Sequence, residues 1–315
     1  MKFSVTIPSY KSEYLRDAII SVMQQTYQDF ELIIVDDCSP EDLKSVVDEF
    51  ASDDRIRYYR NEHNCGIVNV VDNWNICLFQ CSGDYVICIG DDDRMLPCYL
   101  EECNKLIERF PEMKVYHAQT EIIDHQGKVT QTLPLRPEVE TVVDMLYAQW
   151  FEHRKQFIGD FVFSRSWLLE CGGYVKFPLA YSSDWATANM AALNGGIANG
   201  QVPMFQYRDN ESSISRTQNL KLTVDACHES WMWYKTQLLP CIGQRDDKTK
   251  KLNADADSYY STAITDLIYL QTKTSACQFV SNLKYWLNES ERIGLNRFKI
   301  LTTCLRAISS GFLNK

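Results

Sequence analysis

Two apolar runs in this chain end in clustered acids. Phe30-Glu-Leu-Ile-Ile-Val-Asp-Asp37 closes on Asp36 and Asp37, and Tyr85-Val-Ile-Cys-Ile-Gly-Asp-Asp-Asp93 closes on Asp91, Asp92 and Asp93. A single acidic pair after a strand fits a solvated loop or a helix cap. Three consecutive carboxylates directly after an apolar strand demand more, because their mutual repulsion needs a cation or hydrogen-bond donors to offset it. Oxygen-only ligation by few carboxylates suits Mg²⁺ or Mn²⁺ held jointly with substrate phosphates. A sixth acid stands apart: Asp184 is the only carboxylate between Glu170 and Asp209. Taken alone it reads as an acid at a helix N-terminus, where the helix dipole favours it.

The elements that must position these acids are visible as an alternation of strand-like and helix-like periods. Phe3 to Ile7, Leu32 to Val35, Ile56 to Tyr59, Tyr85 to Ile89 and Val115 to His117 read as strands. Between them Leu15/Ala18/Ile19/Val22, Ile67/Val71/Trp74/Leu78 and Leu100/Cys103/Leu106/Ile107 recur at helical spacing. Such a βαβ series builds a mostly parallel sheet with helices on both faces, and ligands sit at the carboxyl ends of its strands. Ser39, Pro40 and the acids Glu41 and Asp42 predict the start of the second helix, with Ser39 as N-cap. Asp124-His-Gln-Gly127 predicts a hairpin, so the parallel series stops there. Residues 130–215 are mixed, and from about 218 the pattern is helical.

Converging strand ends place Asp37 beside the triple acid, which describes one nucleotide pocket: a base or ribose at Asp37 and a metal-bound diphosphate near Asp92. No G-x-G-x-x-G follows the first strand and no P-loop motif occurs. Dinucleotide dehydrogenases and P-loop NTPases are thereby disfavoured. A response-regulator receiver also carries acids at strand ends, but it is one domain long and would leave about 200 residues without a role.

The chain resembles glycosyltransferase family 2, inverting enzymes of the GT-A fold that use nucleotide-sugar donors. The resemblance runs from Ser4-Val-Thr-Ile-Pro8-Ser-Tyr10 through Ser21 to Asp37 and the Asn64-x-Gly66 turn. It then takes in Gly83 to Asp93 with Pro97 four residues on, and ends near Tyr207-Arg208 and Ser215. It implies that Pro8 and Tyr10 line the nucleotide pocket and that Asp37 accepts a hydrogen bond from the base, uracil by preference. It implies metal ligation at Asp92 with Asp93 beside it, Asp91 near the ribose or the metal, and Arg208 at the diphosphate. Asp91-x-Asp93 also has the motif's spacing, so both registers stand. Asp184, after Cys171-Gly-Gly-Tyr174, falls where the family places its general base. Gly159-Asp160 resembles the strand that faces the acceptor. Two positions depart from the pattern: Gly90 stands where a first Asp is usual, and Ser183 where a Glu precedes the base.

These readings amount to an α/β GT-A domain over residues 1–217, with a nucleotide-sugar half at 1–118 and an acceptor half at 119–217, and a helical extension over 218–315. The expected reaction is metal-assisted (Mn²⁺ or Mg²⁺) transfer from a nucleotide-sugar, a UDP-sugar by preference, to a saccharide or lipid-linked acceptor in surface polysaccharide synthesis. A degenerate, non-catalytic GT-A binding domain and a sugar nucleotidyltransferase are the rivals; the latter wants a glycine- and Arg/Lys-rich loop that Pro8-Ser-Tyr-Lys-Ser12 does not supply.

Composition sets the outer bounds. The 315 residues, 45% hydrophobic and 23% charged, are those of a folded protein with a substantial core. A net charge of −10 disfavours nucleic acid as a partner. The last 40 residues run the other way, since Lys284, Arg292, Arg297, Lys299, Arg306 and Lys315 outnumber Glu289 and Glu291. Within them Phe298, Leu301, Leu305 and Ile308 recur at helical spacing, which fits membrane-surface contact or an ordinary packing helix equally. Twelve cysteines with no C-x-x-C read as free thiols rather than a zinc site. With no leader-like opening and no apolar run near the ~18 residues of a membrane span, a cytoplasmic protein, peripheral at the inner membrane face if α-helical contact exists, is the expectation.

Overall fold

The computed structural model describes residues 1–210, 219–243, 246–274 and 278–312. Their elements, in chain order, are β1 (Phe3–Ser9), α1 (Leu15–Met23), β2 (Phe30–Asp36), α2 (Leu43–Asp48), β3 (Ile56–Arg60), α3 (Val70–Gln80), β4 (Tyr85–Cys88), β5 (Arg94–Met95), α4 (Tyr99–Arg109), β6 (Val115–Ile123), β7 (Val129–Thr132) and β8 (Val139–Glu140). There follow α5 (Val142–Phe151), β9 (Phe161–Ser164), α6 (Arg165–Glu170), α7 (Ser183–Ala192), β10 (Ile197–Arg208), α8 (Leu220–Trp233), α9 (Leu239–Ile242), α10 (Asp247–Thr274), α11 (Phe279–Glu289) and α12 (Arg297–Phe312). The boundary expected at 217/218, and Ser215 with it, lie outside the described residues.

The chain forms two compact units: one holds Met1–Lys176 and the chain from Ser183 through β10, the other Phe177–Ser182 and α8 to α12. In the first unit the strands form one mixed sheet in the order β3-β2-β1-β4-β9-β6-β10-β5, with β7 on β6 and β8 on β10. β3, β2, β1 and β4 run parallel, as the βαβ alternation predicts. β9 is inserted antiparallel between β4 and β6, and β10 returns parallel to β6. β2 is buried along its whole length, which is why Leu32 to Val35 is an unbroken apolar run rather than an alternating one. Phe3, Val5, Ile7, Leu32, Ile34 and Ile87 pack with Leu15, Ile19 and Val22 of α1 and with Tyr99 and Leu100 of α4.

One buried charge of that parallel sheet is surrounded by donors. Glu31 in β2 accepts hydrogen bonds from the Ser4 hydroxyl, the Ser82 amide and hydroxyl, and Lys2, and pairs with Arg57 at 2.7 Å. Burial works against its ionisation, but these donors outweigh it and hold the carboxyl down at about 2. Gly83, beside Ser82, lies so close to β1 that a Cβ would sit 2.8 Å from the carbonyl oxygen of Lys2.

The hairpin forms as expected, with Gly127 at φ +82 and its amide bonded to the Asp124 carbonyl. The start of α2 does not: Asp42 is its N-cap, accepting from the Ser45 amide at 3.1 Å. Ser39 is drawn away because its amide donates to Asp36 and its hydroxyl to the Tyr10 carbonyl, both at 2.7 Å. Those two bonds spend residues 38–42 on a turn that ties β2 to the end of β1.

Every regular element of the second unit among its described residues is a helix. Trp231 stacks on Tyr260 at 5.2 Å, and Trp286 donates its indole N–H to Gln271. Its upstream segment contains three residues in the left-handed region, Leu179, Ala180 and Ser182, with φ of 61°, 52° and 62°. Non-glycine residues pay a steric penalty there, so the surroundings must hold them. Phe177 packs edge-on against Trp233, and the Ser182 hydroxyl lies 3.4 Å from that of Tyr234.

Candidate active site

The carboxyl ends of β1, β2 and β4 meet because the strands are parallel and in register, with Ser9 opposite Asp36 and Thr6 opposite Cys88. Three of the predicted residues therefore converge. Alternation along β2 turns Asp36 inward, where it is fully buried and bonded to Tyr58, Arg60 and Ser39. Asp37 turns outward, half-buried. Its Oδ1 accepts from Asn61 at 2.8 Å and from the Cys65 amide at 2.9 Å, and its Oδ2 from Asn64 at 3.2 Å. A carboxylate has about four lone-pair positions, so this arrangement orients Asp37 and still leaves it an acceptor.

Asp91 closes the β1 side. Its Oδ2 accepts the main-chain amides of Tyr10 and Lys11, each at 2.8 Å, and the Ser9 hydroxyl at 3.3 Å. Burial pushes its carboxyl up to about 6 against the pull of those two amides. The loop that follows Pro8 is fixed in this way, and Tyr10 stands 44% exposed on it, with an apolar ring face open to a ligand.

Asp92 and Asp93 fold back over Gly90. A Cβ at position 90 would lie 2.8 Å from Asp92 Oδ1 and 2.9 Å from Asp93 Oδ2. The glycine is thus the residue that leaves room for both carboxylates, which gives the departure at this position a physical basis. Asp92 Oδ2 accepts from Asn210. Asp93 is 4% exposed and accepts the Arg208 amide at 2.9 Å and the Gly90 amide at 3.3 Å. Burial raises the carboxyls of both, and for Asp93 the neighbouring charge of Asp92 adds to it. Among the described residues no group of three or more His, Cys, Asp or Glu side chains converges as a cage. A cation here would draw on one or two carboxylates and on the phosphates of its ligand, the arrangement Mg²⁺ ordinarily adopts.

Arg208 is placed differently from what its motif implies. At 1% exposure it sits against the ring of Tyr14, 4.2 Å from the centroid, and donates to the carbonyls of Asp92, Asp124 and His125. Its fork joins the acidic loop to the β6/β7 hairpin instead of opening toward solvent. Nη2 makes no hydrogen bond and lies 3.8 Å from Asp17.

Asp184 lies in the first turn of α7, half-buried, and accepts the Trp185 amide at 2.8 Å. Burial pushes its carboxyl up to about 7, the range a general base needs near neutral pH. Asp160 is its electrostatic neighbour and is also felt by Asp93. Fully buried, Asp160 accepts from Thr120 and from the Phe157 amide, and burial raises it to about 7. Thr120, Asn61, Asn64 and Asn210 carry much of this order, yet only the Asn64-x-Gly66 turn left a trace in the sequence pattern. The others act across 24 to 118 positions of sequence.

The family model for Glycosyl transferase family 2 matches residues 4–174. An uncharacterized glycosyltransferase of Haemophilus influenzae is 33% identical over 138 residues, 43% of this chain and 45% of that protein. The GalNAc(5)-diNAcBac-PP-undecaprenol beta-1,3-glucosyltransferase of Campylobacter jejuni is 39% identical over 97 residues, 30% of this chain and 31% of its own. The matched stretches thus span less than half the length of either relative. Among solved structures, S. aureus TarS 1-349 in complex with UDP-GlcNAc is similar over 100% of this chain and 93% of that one, with a TM-score of 0.65 and 15% identity. At that identity the likeness speaks for the shared fold, the GT-A architecture.

Proposed function

The chain belongs to glycosyltransferase family 2, and from that membership we propose that it transfers a sugar from a UDP-sugar to a saccharide or lipid-linked acceptor in the synthesis of a cell-surface polysaccharide, with inversion at the transferred carbon. The observation that carries this reading is the convergence of Asp37, Asp91 and Tyr10 at the carboxyl ends of adjacent parallel strands, with a base-range carboxylate, Asp184, in the same unit.

In this reading Asp37 accepts the imide N–H of uracil, and its three donors keep the acceptor aimed. Pro8 and the Tyr10 ring line the base and ribose, on a loop that Asp91 immobilises. Mg²⁺ or Mn²⁺ would be held by Asp92, with Asp93 beside it, together with the donor diphosphate. When bound, the cation neutralises charge on the departing diphosphate. The chain's own part is to orient those carboxylates, through Asn210 for Asp92 and through the Arg208 and Gly90 amides for Asp93. Asp184 then takes the proton of the acceptor hydroxyl. A carboxylate poised near 7 is about half ionised at neutral pH and basic enough for that transfer. The UDP-GlcNAc complex of the structural relative supports uridine as the base, and the undecaprenol-linked acceptor in the name of the Campylobacter relative supports a lipid-linked one.

Calorimetry of UDP with Mn²⁺ and with EDTA, on the wild type and on Asp92→Ala, tests the donor half. Binding that depends on metal and is lost in the variant supports it. Absence of binding with UDP, GDP and dTDP alike would leave a degenerate domain.

A further inference from the structure

We propose that the outward face of α12 docks on an anionic lipid surface. α12 packs inward through Ile300, Thr303, Cys304 and Ala307, all 5% exposed or less, with Cys304 Sγ 3.5 Å from the Thr272 hydroxyl of α10. A surface helix of a globular protein ordinarily turns its polar side out. This one does not: Phe298 is 72% exposed and Leu305 51%. Seven residues are two helical turns, so these side chains lie one above the other, with Leu301 half-buried between them.

Cations border this stripe on both sides. Arg297 is exposed on one flank, and Lys299 and Arg306 lie on the other. Lys299 is steered by a 2.6 Å hydrogen bond to Ser261 of α10, and the Arg306 guanidinium stands over the Tyr269 ring at 4.9 Å. Residues 297–312 contain no acid, in a chain whose net charge is −10. Single exposed apolar residues need no explanation, but an aligned aromatic and aliphatic pair between fixed cations, on an acid-free helix of an acidic protein, matches the interfacial helix: apolar side chains enter the headgroup boundary and basic ones stay at its level. The charge selects the occupant. A second copy laid two-fold on the same face would set these cations against their own equivalents, whereas an anionic bilayer complements them and accepts the apolar stripe. No helix among the described residues is long and apolar enough to cross a membrane, so the contact is one of lying on the surface. The inference goes beyond the transfer reaction and does not depend on it.

Co-sedimentation of the full chain with vesicles of phosphatidylcholine, alone and mixed with phosphatidylglycerol, tests it. We expect binding to the mixed vesicles at least about five-fold above the neutral ones, falling with salt. The pair Phe298→Ser with Leu305→Ser should abolish it, and Arg297→Glu with Arg306→Glu should remove the preference for phosphatidylglycerol. Circular dichroism and UDP binding identical to wild type would show that both pairs of surface variants are folded. Equal binding to the two vesicle types, no binding to either, or a Phe298/Leu305 variant that binds like wild type would overturn the proposal. So would a wild-type dimer in sedimentation that the Phe298/Leu305 variant dissolves, since a second copy would then cover the face.

Discussion

Asp91 Oδ2 receives the main-chain amide of Tyr10 at 2.8 Å, so a carboxylate at the end of β4 holds the loop at the end of β1. The acid between strand and metal motif is thereby engaged with backbone before any ligand arrives. Asp91→Ala frees the Ser9–Lys11 turn, and UDP affinity is expected to fall about ten-fold by calorimetry, the worth of one or two charge-assisted bonds. Asp91→Asn, which keeps an acceptor oxygen, should lose less. Equal affinity in all three proteins would sink this account of the loop.

Asp184→Asn should lower kcat about 10²- to 10⁴-fold while leaving the UDP dissociation constant within about three-fold of wild type. In the wild type kcat/KM should rise with pH through about 7, as the carboxyl ionises. Stability runs the opposite way. The folded-state carboxyl is raised above its ordinary value of 3.8, so the folded state holds the extra proton between about 4 and 7 and loses stability as pH climbs through that window. The Asn variant escapes this loss, and its Tm at pH 8 should exceed that of wild type by about 2–4 °C. A variant that is less stable at pH 8 would contradict the burial assigned to Asp184.

Gly90→Ala tests the crowding over the acidic loop. The added methyl must displace Asp92 Oδ1 or Asp93 Oδ2, at a cost of about 1–3 kcal/mol in stability. Restoring the family's usual residue, by Gly90→Asp, should likewise impair rather than improve the Mn²⁺-dependent part of UDP binding. Stronger metal-dependent binding in Gly90→Asp would mean that the carboxylates have room to rearrange.

Glu31→Gln removes the charge that Ser4, Ser82, Lys2 and Arg57 surround, and should cost about 2–3 kcal/mol of stability at pH 7. Because the folded-state carboxyl is held near 2, below its ordinary 4.5, the wild type carries this stability above about pH 4.5 and loses it as pH falls toward 2. Chemical denaturation at pH 7 and pH 3 should therefore show the gap between variant and wild type narrowing in acid.

The legible part of this molecule is the part encoded locally. The period-2 and period-3.6 runs locate β1 to β4, α1, α3 and α4, and Asp124 to Gly127 locates the hairpin, because each depends on a few neighbouring residues. The insertion of β9 between β4 and β6 was not legible, since antiparallel entry into a parallel series is decided by pairing across some 75 positions. The same limit bears on α2: Ser39 has every local mark of an N-cap, yet its hydroxyl is claimed by the Tyr10 carbonyl, 29 positions away, while its amide turns back to nearby Asp36. Arg208 likewise reads as a phosphate fork, and three carbonyls from two loops turn it into an internal brace. Among the acids, Asp37, Asp91 and Asp93 stand where strand ends predict, but what holds each of them in place is contributed by donors whose types carry no signal of their own.

The six residues from Phe177 to Ser182 make the two units inseparable by any one cut. The polypeptide leaves the first unit after Lys176, re-enters it at Ser183 with Asp184 next in line, and departs again beyond β10. Deleting everything after the sheet would strip Phe177 of Trp233 and Ser182 of Tyr234, and Ser182 directly precedes the helix that carries Asp184. A recombination that exchanges the helical portion therefore has two junctions to respect, since this hexapeptide clusters with the helices that follow β10.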